Sequence, residues 1–204
     1  SKYFMKNLFA ISGPSGTGKS TLCRGLQKKL PEVSFSVSCT TRKKRFNEID
    51  GQDYHFISIE EFTEDISNNK FIEYETVHGD YYGTLKKTVE DSILNKKLLL
   101  LEVDVKGAKT IKCLYPDNLV TIFILPPSLD NLQNRLINRG TDSDTRIKKR
   151  LTRLELESKE KDWFDYHIIN NEIENATREL ITIIEKQTIG VFNEPKTSIF
   201  QQNG

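Results

Sequence analysis

Apolar and polar positions follow two different periods along this chain. Several short runs are apolar throughout or alternate with period two, and uninterrupted apolar runs are typical of strands buried on both faces of a parallel sheet. We therefore predict strands at five places: residues 7–12, 33–37, 98–103, 119–125 and 166–169.

The stretches between these strands carry apolar residues at helical spacing. Leu22, Leu26 and Leu30 recur every four residues and share one helical face, and Pro31 ends the pattern. The same spacing returns in three later stretches: residues 128–137, 144–160 and 176–186. Strands separated by helices predict an α/β fold in which helices cover both faces of a parallel sheet.

Two segments break this alternation. Residues 40–97 combine short polar–apolar alternations with turn residues, which predicts a small mixed α/β insertion on the main sheet. Residues 139–146 are polar and contain a glycine, so we expect a lid from about 139 to 159. No linker interrupts the chain, and we predict one domain over residues 1–204: a core of about 5–39, 98–138 and 160–188, with a polar tail of about 189–204.

Composition narrows the class of partner. Thirty Lys and Arg residues balance twenty-nine Asp and Glu residues, which argues against a broad nucleic-acid or membrane-surface binder. No apolar run approaches the ~20 residues of a transmembrane helix. The three cysteines and three histidines lack metal-ligand spacing, and unpaired cysteines suit a reducing cytosol. We therefore expect a cytoplasmic protein without a nucleic-acid or membrane partner.

The first chemical motif is a glycine-rich loop, Gly13-Pro-Ser-Gly-Thr-Gly-Lys-Ser20, which directly follows a predicted strand and precedes a predicted helix. Its glycines allow backbone N–H groups to converge on a polyphosphate, and the helix N-terminus favours negative charge. Lys19 would reach the β- and γ-phosphates, and the Ser20 hydroxyl would hold Mg²⁺. The motif predicts a site for a nucleoside triphosphate with Mg²⁺, formed by Gly13, Ser15, Gly16, Thr17, Gly18, Lys19, Ser20 and Thr21.

This loop does not identify the group that accepts the phosphate, because GTPase switches, motor ATPases and small-molecule kinases all carry it. Several downstream motifs narrow the choice: Ser36–Arg45, Asp50–Phe56, Phe71–Glu73, Tyr81–Thr84 and Glu102–Gly107. From the glycine-rich loop to Asn170 the chain resembles guanylate kinase, the enzyme family that phosphorylates GMP with ATP. The resemblance implies that GMP, and dGMP, is the acceptor, in purine nucleotide metabolism.

The residue chemistry of the basic segment agrees with a phosphate acceptor. Arg42 and Arg45 lie three apart after a predicted strand, where they could bind phosphate oxygens together with the hydroxyls of Tyr54 and Tyr82. In an arbitrary protein, the first interpretation of such a run would be a solvated loop.

Two carboxylates fit the base of the acceptor. Guanine offers N1–H and N2–H donors, whereas adenine presents an acceptor at N1, so Glu73 and Asp104 would select guanine. The hydroxyls of Ser38 and Thr84 could donate to guanine O6. A site built from such pairs discriminates strongly, because the wrong base leaves polar groups unpaired.

Glu102 and Asp104 lie two residues apart at the end of a predicted strand, and their side chains therefore share one face. Open α/β sheets bind ligands at the carboxyl ends of their strands. The resemblance assigns Asp104 to guanine and makes Glu102 a candidate for the outer shell of the Mg²⁺ that Ser20 would hold. General acid–base catalysis is not required, since the acceptor phosphate is largely ionised at pH 7.

Further roles come from the resemblance. It implies that Arg139 and Arg150 close over the triphosphate and that Asn170 contacts adenine. Arg135 lies four residues before Arg139 and could share its helical face, on the ATP side. An Asn after a strand is otherwise more often a turn residue. The implied catalytic set is Lys19, Arg45, Arg139 and Arg150.

Two alternative functions remain open at this point. One is a scaffold domain of the guanylate kinase fold that binds phosphorylated peptides. The other is a kinase for another monophosphate or a phosphorylated sugar. The chain also departs from the usual family pattern at Cys39, Lys44, Phe46, Glu102 and Lys106. Of these, Lys106 and the loop of Lys44 and Phe46 could alter closure of the acceptor side. We expect a monomer or a weak homodimer.

Overall fold

The structure is a computed structural model that describes residues 6–128, 152 and 159–192. The described strands are β1 Leu8–Ser12, β2 Ser34–Phe35, β3 Cys39–Thr40, β4 His55–Phe56, β5 Phe71–Val77, β6 Asp80–Leu85, β7 Leu99–Glu102, β8 Leu119–Leu125 and β9 Tyr166–Ile169. The described α-helices are α1 Lys19–Lys29, α2 Ile59–Ser67, α3 Lys86–Leu94, α4 Val105–Leu114 and α5 Ile173–Phe192. Outside the described residues lie Arg135, Arg139 and Arg150, nearly all of the expected lid, and the tail from residue 193.

The central sheet is parallel and has the strand order β2-β7-β1-β8-β9. Alternate residues of β1 point to opposite faces of this sheet. Phe9 belongs to a buried cluster with Leu26 of α1 and Leu180 of α5. Leu8 belongs to a second cluster with Val89 of α3 and Ile111 of α4. Helices therefore cover both faces, which confirms the predicted fold class.

The predicted strands of the central sheet are all present. β8 and β9 have the predicted limits: β8 is apolar except for Thr121, and β9 is apolar except for His167 and is bounded by Asp165 and Asn170. β2 is shorter than predicted and contains only Ser34 and Phe35, which pair with β7 alone at the sheet edge. The C-terminal helix extends beyond the predicted 176–186 at both ends.

The insertion forms a second, mixed sheet with the order β4-β3-β6-β5. Its helix α2 packs the fully buried Phe62 onto Phe71, with ring centroids 4.5 Å apart. This helix was not located in advance, although Ser58 and Glu61 form a capping box at its N-terminus. The cap stabilises the start of the helix, and the packing of Phe62 on Phe71 holds the helix against the sheet.

The three cysteines differ in exposure. Cys23 lies on the buried face of α1, Cys39 lies in β3, and Cys113 is exposed near the end of α4. Burial raises the pKa of the Cys23 thiol well above its ordinary value and that of Cys39 to about 11. Among the described helices, none combines the length and the apolar character needed to cross a membrane.

Candidate active site

A cleft of about 420 Å³ separates the glycine-rich loop from the insertion sheet. It is lined by most of the residues that the sequence analysis selected: Gly13, Ser15, Gly16, Gly18, Lys19, Ser20, Thr21, Ser38, Arg42, Arg45, Tyr54, Glu73, Tyr82, Thr84, Glu102 and Asp104. Thr17, which belongs to the loop, and Asn170, which packs against it, are buried and do not line the cleft. The fold thus brings together residues more than eighty positions apart in sequence.

The glycine-rich loop depends on backbone conformations that only glycine adopts easily. Gly13, Gly16 and Gly18 all have positive φ, at 143°, 87° and 86°. A Cβ on Gly13 would collide with the backbone carbonyl of Ile124 in β8, so the loop begins in direct contact with the neighbouring strand. Gly18 is the N-cap of α1, which leaves the first N–H groups of that helix available to an anion.

Two polar side chains follow directly at the start of α1. Lys19 Nζ donates to the carbonyl oxygens of Gly13 at 2.6 Å and Pro14 at 3.0 Å, which holds its charge over the loop. Ser20 Oγ lies 3.1 and 3.0 Å from the two carboxylate oxygens of Glu102 at the end of β7. A hydroxyl beside a carboxylate supplies the hard oxygen ligands that Mg²⁺ prefers. In the described part of the chain, no three His, Cys, Asp or Glu side chains form a cluster suited to a metal, so Mg²⁺ here would take further ligands from phosphate and water.

On the opposite wall, Arg42 forms a two-point ion pair with Glu48. Its Nη2 lies 2.7 Å from Oε1 and its Nη1 lies 3.1 Å from Oε2, and both side chains are largely buried. The backbone N–H of Arg45 also donates to Glu48 Oε2, at 2.7 Å. Burial alone would raise the pKa of Glu48, but these bonds outweigh it and lower the pKa. The sequence analysis missed Glu48, although its place three residues after Arg45 was a usable signal.

Two tyrosines lie beside this ion pair. The rings of Tyr54 and Tyr82 meet edge to face with centroids 5.8 Å apart, and the Arg42 guanidinium lies 5.4 Å from the centroid of the Tyr54 ring. Burial, followed by the charge of Glu102, raises the pKa of Tyr54, so its phenol stays protonated and can donate a hydrogen bond. Tyr54 directly precedes β4 and Tyr82 lies in β6, and both residues line the cleft.

Glu73 and Asp104 converge at the far end of the cleft. The Thr84 hydroxyl donates to Glu73 Oε1 across the β5–β6 pair. Asp104 is the N-cap of α4 and accepts the Gly107 N–H at 2.7 Å. A Cβ on Gly107 would lie 2.7 Å from Glu73 Oε2 and 3.1 Å from Asp104 Oδ1, so only glycine lets the two carboxylates approach. Burial raises the pKa of Glu73 to about 6, and the charge of Asp104 adds to the effect.

One further ion pair joins the two sides of the cleft. Arg24 of α1 contacts Asp53 of the insertion, and Asp53 also accepts the Ile49 N–H at 2.7 Å. The sequence analysis selected neither residue. Arg24 lies on the exposed face of its helix and Asp53 in a turn, and nothing in the local pattern indicates that they meet.

Comparison with known proteins gives the chain its family. The guanylate kinase family model matches residues 5–187. The chain belongs to the guanylate kinase family. The guanylate kinase of Carboxydothermus hydrogenoformans is 42% identical over 182 residues, 89% of either chain. That of Fusobacterium nucleatum is 46% identical over 183 residues, 87% of this chain and 95% of the relative. The crystal structure of guanylate kinase from Anaplasma phagocytophilum matches with a TM-score of 0.75 at 30% identity, over 91% of this chain and 88% of that one.

These matches confirm the resemblance to guanylate kinase. With it they confirm the prediction of a nucleoside monophosphate kinase that carries the glycine-rich phosphate-binding loop, or P-loop. They compare whole chains, whereas the role of each residue in the cleft rests on geometry and chemistry. Asn170 shows the difference. Its side-chain amide donates a hydrogen bond to the Thr17 carbonyl of the loop, and its contact with adenine stays a prediction.

Proposed function

We propose that this guanylate kinase family member transfers the γ-phosphate of ATP to GMP, and likewise to dGMP, giving ADP and GDP. One observation carries the proposal: a single cleft holds the glycine-rich loop on one wall and the arginines and carboxylates of the insertion on the other. A phosphate donor and a guanine nucleotide can therefore meet in it. Membership of the family supports the same reaction.

The donor triphosphate binds along the loop from Gly13 to Thr21, where main-chain N–H groups and Lys19 meet its oxygens. Ser20, with Glu102 beside it, would hold Mg²⁺, and the ion would neutralise phosphate charge. Lys19 already points over the loop through its bonds to Gly13 and Pro14, so a phosphate needs only to exchange with those carbonyls. We assign Arg135 and Asn170 to the donor side as well.

The acceptor phosphate binds to Arg42, Arg45, Tyr54 and Tyr82. Arg42 has five N–H donors. Glu48 engages one from each Nη, the Lys43 carbonyl accepts a second from Nη1 at 2.8 Å, and Tyr82 also hydrogen-bonds the guanidinium. The guanidinium is thus held in place, and an acceptor phosphate would meet its remaining donors and exchange with the Lys43 carbonyl or the Tyr82 hydroxyl. The Tyr54 hydroxyl, from just before β4, and the Tyr82 hydroxyl, from β6, complete the shell.

Glu73 and Asp104 read the guanine base. Glu73 accepts from N1–H and N2–H, and Asp104 lies beside it within the same wall. Thr84 was expected to donate to guanine O6, but its single hydroxyl hydrogen goes to Glu73, so it takes part as an acceptor instead. Ser38 is then the hydroxyl that donates to O6.

Catalysis consists of alignment and charge neutralisation. A phosphate oxygen of GMP is held in line with the γ-phosphorus, and Lys19 and Arg45 stabilise the charge that spreads over the transferred group. Arg139 and Arg150 join them from the lid. Closure also excludes water, which would otherwise hydrolyse ATP.

The cellular setting is part of the proposal. The enzyme acts on free nucleotides in the cytoplasm, in purine nucleotide metabolism, as a monomer or a weak homodimer. A net charge of +1 supports this setting, because a nucleic-acid or membrane-surface binder would carry a basic excess.

The direct test is an ADP-release assay with MgATP and GMP, dGMP, AMP, UMP or no acceptor. Turnover with GMP should exceed that with AMP roughly a thousandfold and should vanish in Lys19→Ala. Equal turnover with AMP or UMP would contradict the roles of Glu73 and Asp104 while leaving the loop chemistry intact. A folded, ATP-binding protein without any turnover would instead point to a domain that binds phosphorylated peptides.

A further inference from the structure

Asn170 reaches the glycine-rich loop from a position 153 residues further along the chain. Its side chain is 5% exposed, and its Nδ2 donates to the Thr17 carbonyl oxygen at 2.6 Å. Its own backbone N–H donates to the Leu125 carbonyl at 2.9 Å, at the end of β8. The amide is therefore fixed to the central sheet on one side and holds the loop on the other.

This hydrogen bond sets the direction of one peptide plane. The Thr17 carbonyl and the Gly18 N–H belong to the same planar trans peptide and point in opposite directions. Because Asn170 holds the carbonyl behind the loop, the Gly18 N–H faces away from Asn170, and Gly18 lines the cleft. The main-chain donor is thus aimed at the place where the donor phosphates bind.

The packing around Gly18 supports the same conclusion. Gly18 has a φ of 86°, and a Cβ there would lie only 2.7 Å from Asn170 Nδ2. The amide therefore packs directly against the turn that starts α1. A glycine-containing turn can rotate its peptide planes at little steric cost, so a fixed partner is needed to keep one orientation. Within the loop, the Thr17 hydroxyl and N–H both bond the Pro14 carbonyl, which leaves Asn170 to hold the Thr17 carbonyl.

We propose that Asn170 is a positioning residue for the donor phosphates: it orients the Thr17–Gly18 peptide so that the Gly18 N–H meets the triphosphate. It acts through the loop backbone, whatever contact it makes with the base. This inference rests on the proposed function for the identity of the donor. Its consequence is that Asn170 strengthens the binding of a polyphosphate that has no base at all.

The experiment measures binding by calorimetry of two probes, MgATP and magnesium tripolyphosphate. The proteins are the full chain, Asn170→Ala, Asn170→Asp and the control Asn171→Ala, which changes the exposed neighbouring asparagine. Both Asn170 variants remove the N–H donor, and Asn170→Asp keeps the size of the side chain. We expect both to bind both probes about tenfold more weakly, because the buried Thr17 carbonyl loses its partner. Asn171→Ala should bind both probes as tightly as the unchanged protein. The affinity of the Asn170 variants for GMP should also stay unchanged.

Three results would overturn the inference. If ATP binds more weakly but tripolyphosphate does not, Asn170 acts on the base alone. If Asn170→Asp binds tripolyphosphate as tightly as the unchanged protein, the hydrogen bond to the Thr17 carbonyl does not strengthen phosphate binding. If GMP affinity falls in parallel, the side chain only stabilises the fold. None of these readouts needs phosphoryl transfer, so a failure of the proposed function would be recognised separately by the absence of turnover.

Discussion

The two walls of the cleft recognise phosphate by different means. On the donor wall the loop from Gly13 to Ser20 offers main-chain N–H groups, and its shape is fixed by contact with Ile124 and by Asn170. On the acceptor wall side chains bind, and an ion pair to Glu48 fixes Arg42. Main-chain donors bind phosphate whatever base is attached, whereas side chains can also select the base. Changes on the donor wall should therefore affect every acceptor equally, and changes on the acceptor wall should alter selectivity.

The largest effect is expected from Gly13→Ala on the donor wall. Gly13 has a φ of 143°, and its Cβ would collide with the Ile124 backbone, so the loop must shift. A displacement of this kind should lower kcat/KM for ATP more than about a hundredfold, while GMP affinity is retained. The control is Gly79→Ala, which has a φ of 91° but open space around the new Cβ. If both variants lose activity equally, backbone strain and not the close approach to β8 is responsible.

On the acceptor wall, Glu73→Gln should change selectivity. The glutamine amide would turn an N–H₂ group toward the N–H donors of guanine, so kcat/KM for GMP should fall about fiftyfold. The ratio of GMP to AMP turnover should fall with it, while MgATP affinity stays unchanged. Steady-state assays with both acceptors give the ratio, and the exposed Glu64→Gln on α2 serves as the control. An unchanged ratio would remove Glu73 from base recognition.

Glu73 should also make stability depend on pH. The folded protein binds this proton more tightly than the unfolded chain does, because burial raises the pKa of Glu73 from 4.5 to about 6. Stability from this group is therefore lost as the pH rises from 4.5 through 6. At pH 7.5, Glu73→Gln should be more stable by about 2 kcal/mol, and the difference should vanish below pH 4.5. Urea unfolding at several pH values measures it, and a constant difference would contradict the shift.

Glu48→Gln is the smallest of these changes and tests how the acceptor arginines are held. Without the carboxylate charge, Arg42 and the Arg45 backbone lose their shared anchor. The KM for GMP should rise about tenfold with kcat and the KM for ATP little changed. A lower KM for GMP would mean that Glu48 competes with the GMP phosphate for Arg42 instead of positioning Arg42 to bind it.

The same contrast explains which parts of the site could be predicted from the sequence. The donor loop is a contiguous motif whose glycines dictate the local backbone, and β8 and β9 are short segments with one polar residue each, Thr121 and His167. Glu48 was near the predicted arginines but looked like one charge among many. The bonds from Asn170 to Thr17 and from Arg24 to Asp53 join distant segments, and only the packed sheets bring them together.

Two helices of the insertion show how local signals differ in strength. α2 begins at the capping box of Ser58 and Glu61, a pattern that the sequence contains. α3 begins after Leu85, which has no side-chain cap, so no polar residue indicates its start. Its formation depends on Val89, which is buried against the central sheet. Burial of this kind becomes visible only when the whole core is assembled.

The three cysteines differ in burial, so their rates of chemical labelling can report on different parts of the protein. A maleimide dye at neutral pH should attach first at Cys113, because thiols react as exposed thiolates. Cys23 and Cys39 should react only when α1 or β3 opens transiently, since their burial raises the thiol pKa. Mass spectrometry of the labelling time course would then give two opening rates for the protein without any substitution. The rate at Cys23 reports on the donor wall, and the rate at Cys39 reports on the acceptor wall.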